Sequence, residues 1–119
     1  MVVDSVRVRL DGDAEVGSSE LRYTLTDATT GRPVDDLQPY LAAAGHVVVM
    51  RADGQTFAHE HAEVQDDAGG PVFALPGTTF GPELDVHVAF PTAGVYRVWA
   101  QFRLADGDLI AVPITVAAR

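Results

Sequence analysis

Apolar side chains in this chain recur at every second position, in short runs broken by glycine, proline and aspartate. Val6, Val8 and Leu10 alternate with Arg7 and Arg9, and Leu21, Tyr23 and Leu25 alternate with Arg22, Thr24 and Thr26. Leu84, Val86, Val88 and Phe90 share one face of a later run, with Asp85 and His87 on the other. Tyr96, Val98, Ala100, Phe102 and Leu104 do the same against Arg97, Trp99, Gln101 and Arg103. A period of two is the signature of a strand with one face buried and one face wet. Several such strands, separated by turn residues at spacings of roughly 8 to 15 positions, predict an all-β immunoglobulin-like or Greek-key β-sandwich of about seven to eight antiparallel strands. Only Asp36 to Ala44 has helical leanings, and Pro39 limits it to about one turn.

A chain of 119 residues with 47% hydrophobic and 21% charged residues can bury one sandwich core. The expectation is a single domain over residues 1–119, cut from or left as the mature part of a longer chain. The formal net charge is −9, and every basic residue except histidine is an arginine. That balance argues against nucleic acid, which needs a basic face to displace counterions, and against docking on an anionic membrane. With no cysteine there is neither a disulfide framework nor a thiolate metal site. No run approaches the roughly 18 apolar residues of a membrane span, so direct insertion of this segment is not expected. Met1-Val2-Val3-Asp4 lacks the basic and apolar regions of a signal peptide.

The phrase Phe90-Pro91-Thr92-Ala93-Gly94-Val95-Tyr96 has the form of a tyrosine corner, in which a tyrosine opening a late strand folds back onto the preceding loop. Tyr96 is therefore read as structural. Trp99, on the opposite face, is expected to be partly exposed.

The segment His46 to His61 carries the strongest chemical signal. Asp53-Gly54 between two β runs is a hairpin dipeptide, and as a type I′ turn it needs positive φ at both residues. With those two residues as the loop, Met50 faces Phe57, Val48 faces His59 and His46 faces His61. Alternation then puts His46, His59 and His61 on one face, with opposed Cβ atoms about 4.5–5.5 Å apart and diagonal ones about 7–8 Å. Three imidazoles with an open position suit Zn²⁺ or Cu²⁺. His87 and Glu63 stand behind them as further candidate ligands. Met50 is read as core filling beside Phe57. Glu60 falls on the opposite face, so His59-Glu60-His61 lacks the logic of a helical zinc-protease motif. A one-residue slip in register would separate His46 from His61 and dissolve the cluster.

Asp36-Leu37-Gln38-Pro39-Tyr40-Leu41, then Gly45-His46, His59-Glu60-His61 and Phe90 to Phe102 resemble a family of bacterial secreted or membrane-anchored sandwich domains. Its pattern is D-L-x-x-Y-L-G-x-x-G-H, then H-x-H-P, then F-P-x-x-G-x-Y-x-x-W-x-Q-F, and the resemblance covers about residues 20 to 116. Ala42 and Ala62 depart from it, standing where glycine and proline are usual. Some members sit in longer proteins with heavy-metal-binding segments. The resemblance thus implies an extracytoplasmic location and a protein partner in metal handling.

The leading reading is a metal-binding accessory domain for copper or zinc, and the second is a structural or protein-interaction module without metal. No catalytic residue is assigned. The chain has no Gly-x-Ser-x-Gly elbow, and Ser5, Ser18 and Ser19 lie far in sequence from the histidines.

Overall fold

The computed structural model describes residues 1–39, 45–54, 57–63 (backbone only) and 79–119. Eight strands follow in chain order: β1 (Val2–Val3), β2 (Val6–Asp11), β3 (Gly17–Asp27), β4 (Gly45–Arg51), β5 (Phe57–Glu63), β6 (Glu83–Phe90), β7 (Gly94–Arg103) and β8 (Leu109–Ala118). All pairings are antiparallel, in the spatial order β1-β2-β3-β6-β5-β4-β7-β8. The non-sequential neighbours, β3 beside β6 and β4 beside β7, are the Greek-key crossings of a sandwich. β1 is the strand that the alternation pattern does not reveal, because two residues are too few to show a period.

The hydrogen-bonded order is continuous, yet it folds over on itself. β5 pairs with β4 from Phe57 to Ala62 and then hands over to β6 at Ala62 and Glu63. The two halves, β1-β2-β3-β6 and β5-β4-β7-β8, enclose one core. Val8, Leu21, Tyr23, Leu25, Leu84, Val86, Val88 and Phe90 enter it from the first half. Val47, Val49, Tyr96, Val98, Ala100, Phe102, Ile110 and Val112 enter from the second. Tyr23 and Phe102 meet edge to face across the halves, with ring centroids 5.5 Å apart. On the side away from β5, Val16 N–H donates to Arg119 O and Arg119 N–H to Ala14 O, both at 3.0 Å.

The tyrosine corner is present. Tyr96 is buried, and its hydroxyl donates to Thr92 O at 2.8 Å. The helical leaning is corrected at its start: Leu37 exchanges two backbone hydrogen bonds with Phe80, and Gln38 N–H donates to Arg103 O. Leu37 is fully buried, so its backbone needs fixed partners, and these isolated bridges supply them. Residues 40–44, the rest of that stretch, lie outside the described residues.

Candidate functional site

The hairpin register is the one the sequence predicts. β4 and β5 pair His46 with His61, Val48 with His59 and Met50 with Phe57. The turn that makes it is different. Gly54 N–H donates to Arg51 O at 2.8 Å, which centres the turn on Ala52 and Asp53. Gly54 has φ 76°, whereas the non-glycine residues with positive φ among those described are Asp4 and Ser5. A type I′ turn at Asp53-Gly54 is thereby replaced by a turn one residue earlier, with glycine just behind it in the left-handed region. Asp53 avoids the steric cost that φ > 0 imposes on a side chain.

Burial along β4 separates its two faces. Val47 and Val49 are in the core, and Val48 and Met50 are half-buried on the outer face. Met50 therefore does not fill the core, as the sequence reading expects; it borders a groove in the outer face of the second half. His46 shares that outer face by alternation but is only 6% exposed. Its neighbour Gly45 is packed closely on the inner face, against Phe102. A Cβ on Gly45 would come within 2.8 Å of the Phe102 ring, so glycine lets β4 lie flat against β7 at this point. Across β7, His46 pairs with Gln101 and Val48 with Trp99.

The side chains of His59, His61 and Glu63 lie outside the described residues, so only their rungs can be placed. His59 and His61 flank the rung of Glu60 opposite Val47, and Glu63 pairs with Asp85 of β6. The Asp85 carboxylate accepts a 2.8 Å hydrogen bond from Arg22 Nε, and Glu83 accepts one from Arg22 Nη1 at 2.8 Å. The Asp85 contact holds the Arg22 guanidinium above its usual pKa. A cation near Glu63 has to share Asp85 with that arginine.

His87 follows Val86, the β6 residue paired with Ala62, and so stands one residue beyond the end of the β5–β6 ladder toward His61. Its imidazole is exposed and engaged elsewhere. Nε2 hydrogen-bonds Ser18 Oγ, and Nδ1 is 3.8 Å from the Glu20 carboxylate. Among the described residues no three histidine, aspartate or glutamate side chains gather as a metal site. No helix among the described residues is long and apolar enough to cross a membrane.

The sequence reading passes over one feature of this half. Arg97, Trp99 and Met50 border an open groove of about 380 Å³, with the Arg97 guanidinium 5.9 Å from the Trp99 ring centroid. The alternation that puts Arg97 and Trp99 on one strand face is its signal.

A protein family described as "Domain of unknown function (DUF8832)" matches residues 1–119. Among curated proteins none matches the chain. Solved structures with a similar course of the chain include the superoxide reductase (neelaredoxin) of Archaeoglobus fulgidus in its reduced form. It is 12% identical, covers 92% of this chain and 86% of its own, and has a TM-score of 0.48. A conjugative transposon lipoprotein from Bacteroides eggerthii is 9% identical, covers 92% of each chain and has a TM-score of 0.37.

Proposed function

We propose that this chain, which belongs over its whole length to the DUF8832 family, is a non-catalytic, metal-binding accessory domain that takes Cu²⁺ or Zn²⁺ on His46, His59 and His61. The observation that carries this reading is the register of β4 and β5, which puts His46 opposite His61 and His59 two residues along on the same face, opposite Val48. Opposed and diagonal strand positions lie within about 4.5–8 Å at Cβ, a span that imidazoles can close around an ion at about 2 Å from each nitrogen. His46 is already held in place by burial, and a ligand fixed before the metal arrives loses little entropy on binding. The resemblance to secreted or membrane-anchored bacterial sandwich domains supports an extracytoplasmic setting and a partner that delivers or receives the ion.

Titration of the parent chain and of a His59→Ala/His61→Ala variant with Cu²⁺ and Zn²⁺ tests the proposal. The parent is expected to bind tighter than about 100 μM, roughly 5.5 kcal/mol, and the variant at least tenfold more weakly. Affinity should fall as the pH is lowered, because protons compete with the ion for the imidazole nitrogens. No binding by the parent, or equal binding by the variant, rejects the site.

The burial of His46 favours one competing reading, in which the imidazole packs the hairpin end of a structural or protein-interaction module. That reading expects indifference to metal together with a loss of stability in His46→Ala.

A further inference from the structure

The outer face of β4, β7 and β8 differs in charge from the rest of the molecule. None of the chain's 17 acidic residues falls in these three adjacent strands, which carry Arg51, Arg97 and Arg103. The outer faces of β2, β3 and β6, by contrast, present Asp11, Glu20, Glu83 and Asp85. A chain of net charge −9 has thus kept one face clear of carboxylates.

Of these arginines, Arg97 and Arg103 share the outer face of Trp99, whereas Arg51 pairs with Tyr96 and has the inner-face parity of Val47 and Val49. Arg51 is engaged by its own chain: Nη1 donates to Thr92 Oγ1 at 2.9 Å, and Nε lies 3.5 Å from Asp53. Arg97 is exposed, touches Thr115 Oγ1 at 3.3 Å and lies over Trp99, and no described carboxylate pairs with it. Below it the groove has a mostly apolar lining that includes Met50, Val95 and Trp99. A cation above an apolar floor fits a ligand with an apolar side chain beside a carboxylate.

The length of the face separates a peptide from a small molecule. The carboxylate-free strip runs along the ten residues of β7, about 33 Å at strand rise. Its ends are marked by two exposed apolar residues, Val95 at 47% and Leu109 at 45%. A small carboxylate fills only the groove at one end of such a strip. An extended segment covers all of it.

We propose that the outer face of β4, β7 and β8 docks an acidic peptide segment of a partner protein. One apolar side chain of that segment sits in the groove on Trp99 and Met50, and flanking carboxylates meet Arg97. The observation does not draw on the histidine site: Met50 lies four residues along β4 from His46, and among the described residues no histidine borders the groove.

Trp99 is the chain's single tryptophan and borders the groove, so its fluorescence reads occupancy directly. The full chain is titrated with synthetic peptides that carry one central phenylalanine flanked by glutamates, by glutamines or by lysines. Phenylacetate serves as a small carboxylate. The glutamate peptide is expected to shift Trp99 emission saturably, to bind at least tenfold tighter than the other three probes, and to weaken as salt shortens the screening length. Arg97→Glu should remove its binding and favour the lysine peptide. Arg97→Gln should weaken binding of the glutamate peptide without that reversal. A melting temperature unchanged from the parent shows that each variant is folded. Silence of Trp99 toward the glutamate peptide up to about 1 mM, about 4 kcal/mol, overturns the proposal. So does equal binding of the glutamine peptide, phenylacetate binding as tightly as the peptide, or no change in the folded Arg97→Glu variant.

Discussion

The hydroxyls of two core tyrosines meet opposite surroundings. Tyr96 donates to Thr92 O at 2.8 Å, which ties the loop after β6 to the start of β7. The hydroxyl of Tyr23, deep between the halves, has no hydrogen-bond partner among the described residues. A net hydrogen bond is worth about 1 kcal/mol, whereas an unsatisfied buried hydroxyl costs about 1–3 kcal/mol. Tyr96→Phe should therefore destabilise the fold by about 1 kcal/mol, and Tyr23→Phe should stabilise it by about 1 kcal/mol, both read from urea denaturation midpoints. Burial also pushes the Tyr23 phenol well above its usual pKa. The proton is held more tightly in the folded state, so this contribution is complete below about pH 10, where unfolded tyrosine is neutral too. Above that pH the unfolded chain ionises first and stability falls. Part of that alkaline loss should be absent from Tyr23→Phe.

At the scale of elements, the two Ala-Asp-Gly turns show what a short-range signal determines. In both hairpins the glycine N–H reaches back to the residue before alanine: Gly54 to Arg51 at 2.8 Å, and Gly107 to Leu104 at 2.9 Å. Both glycines have positive φ, 76° and 92°. Aspartate-glycine thus announces a hairpin, here with the turn centred one residue before the type I′ position. The β4–β5 register was legible because it follows from alternation on both strands, and burying Val47 and Val49 locks it in place. Placing Met50 in the core failed for a related reason. Alternation says which residues share a face, but whether that face is inner or outer depends on which strands stack above it. The depth of His46 was equally hidden, because it depends on packing between strands far apart in sequence. Gly45 gives this packing a test. A Cβ there meets the Phe102 ring at 2.8 Å, so Gly45→Ala must displace the ring or lift β4 from β7. Overpacking of this kind costs about 1–3 kcal/mol. Thermal denaturation should show that loss, and near-ultraviolet circular dichroism should show a changed aromatic environment.

The two halves of the sandwich are joined unequally, which sets how the whole molecule opens. Within the halves, β3 and β6 share eight residue pairs, and β7 and β8 share ten. Between the halves on the β5 side there are two, Ala62 with Val86 and Glu63 with Asp85. The core bridges the halves more extensively, through contacts such as Tyr23 on Phe102. Side-chain burial of that kind resists global unfolding, but it does not prevent a short ladder from breathing. Native-state hydrogen exchange should therefore rank the amides. Interior amides of β3, β6, β7 and β8 should exchange only through global unfolding, and those of the β5–β6 pairs through a cheaper local opening. If protection of the β5–β6 pairs equals that of the β7–β8 ladder, the seam is not a weak point. The proposed metal site spans β4 and β5 next to that seam, so an ion held by His46, His59 and His61 binds only while the hairpin is intact. Linkage then requires Zn²⁺ at about 100 times its dissociation constant to add about 2.7 kcal/mol against any opening that separates these strands. Protection should rise in β4 and β5 and stay unchanged for sub-global openings of β2 against β3. A rise spread evenly over both halves would place the ion elsewhere.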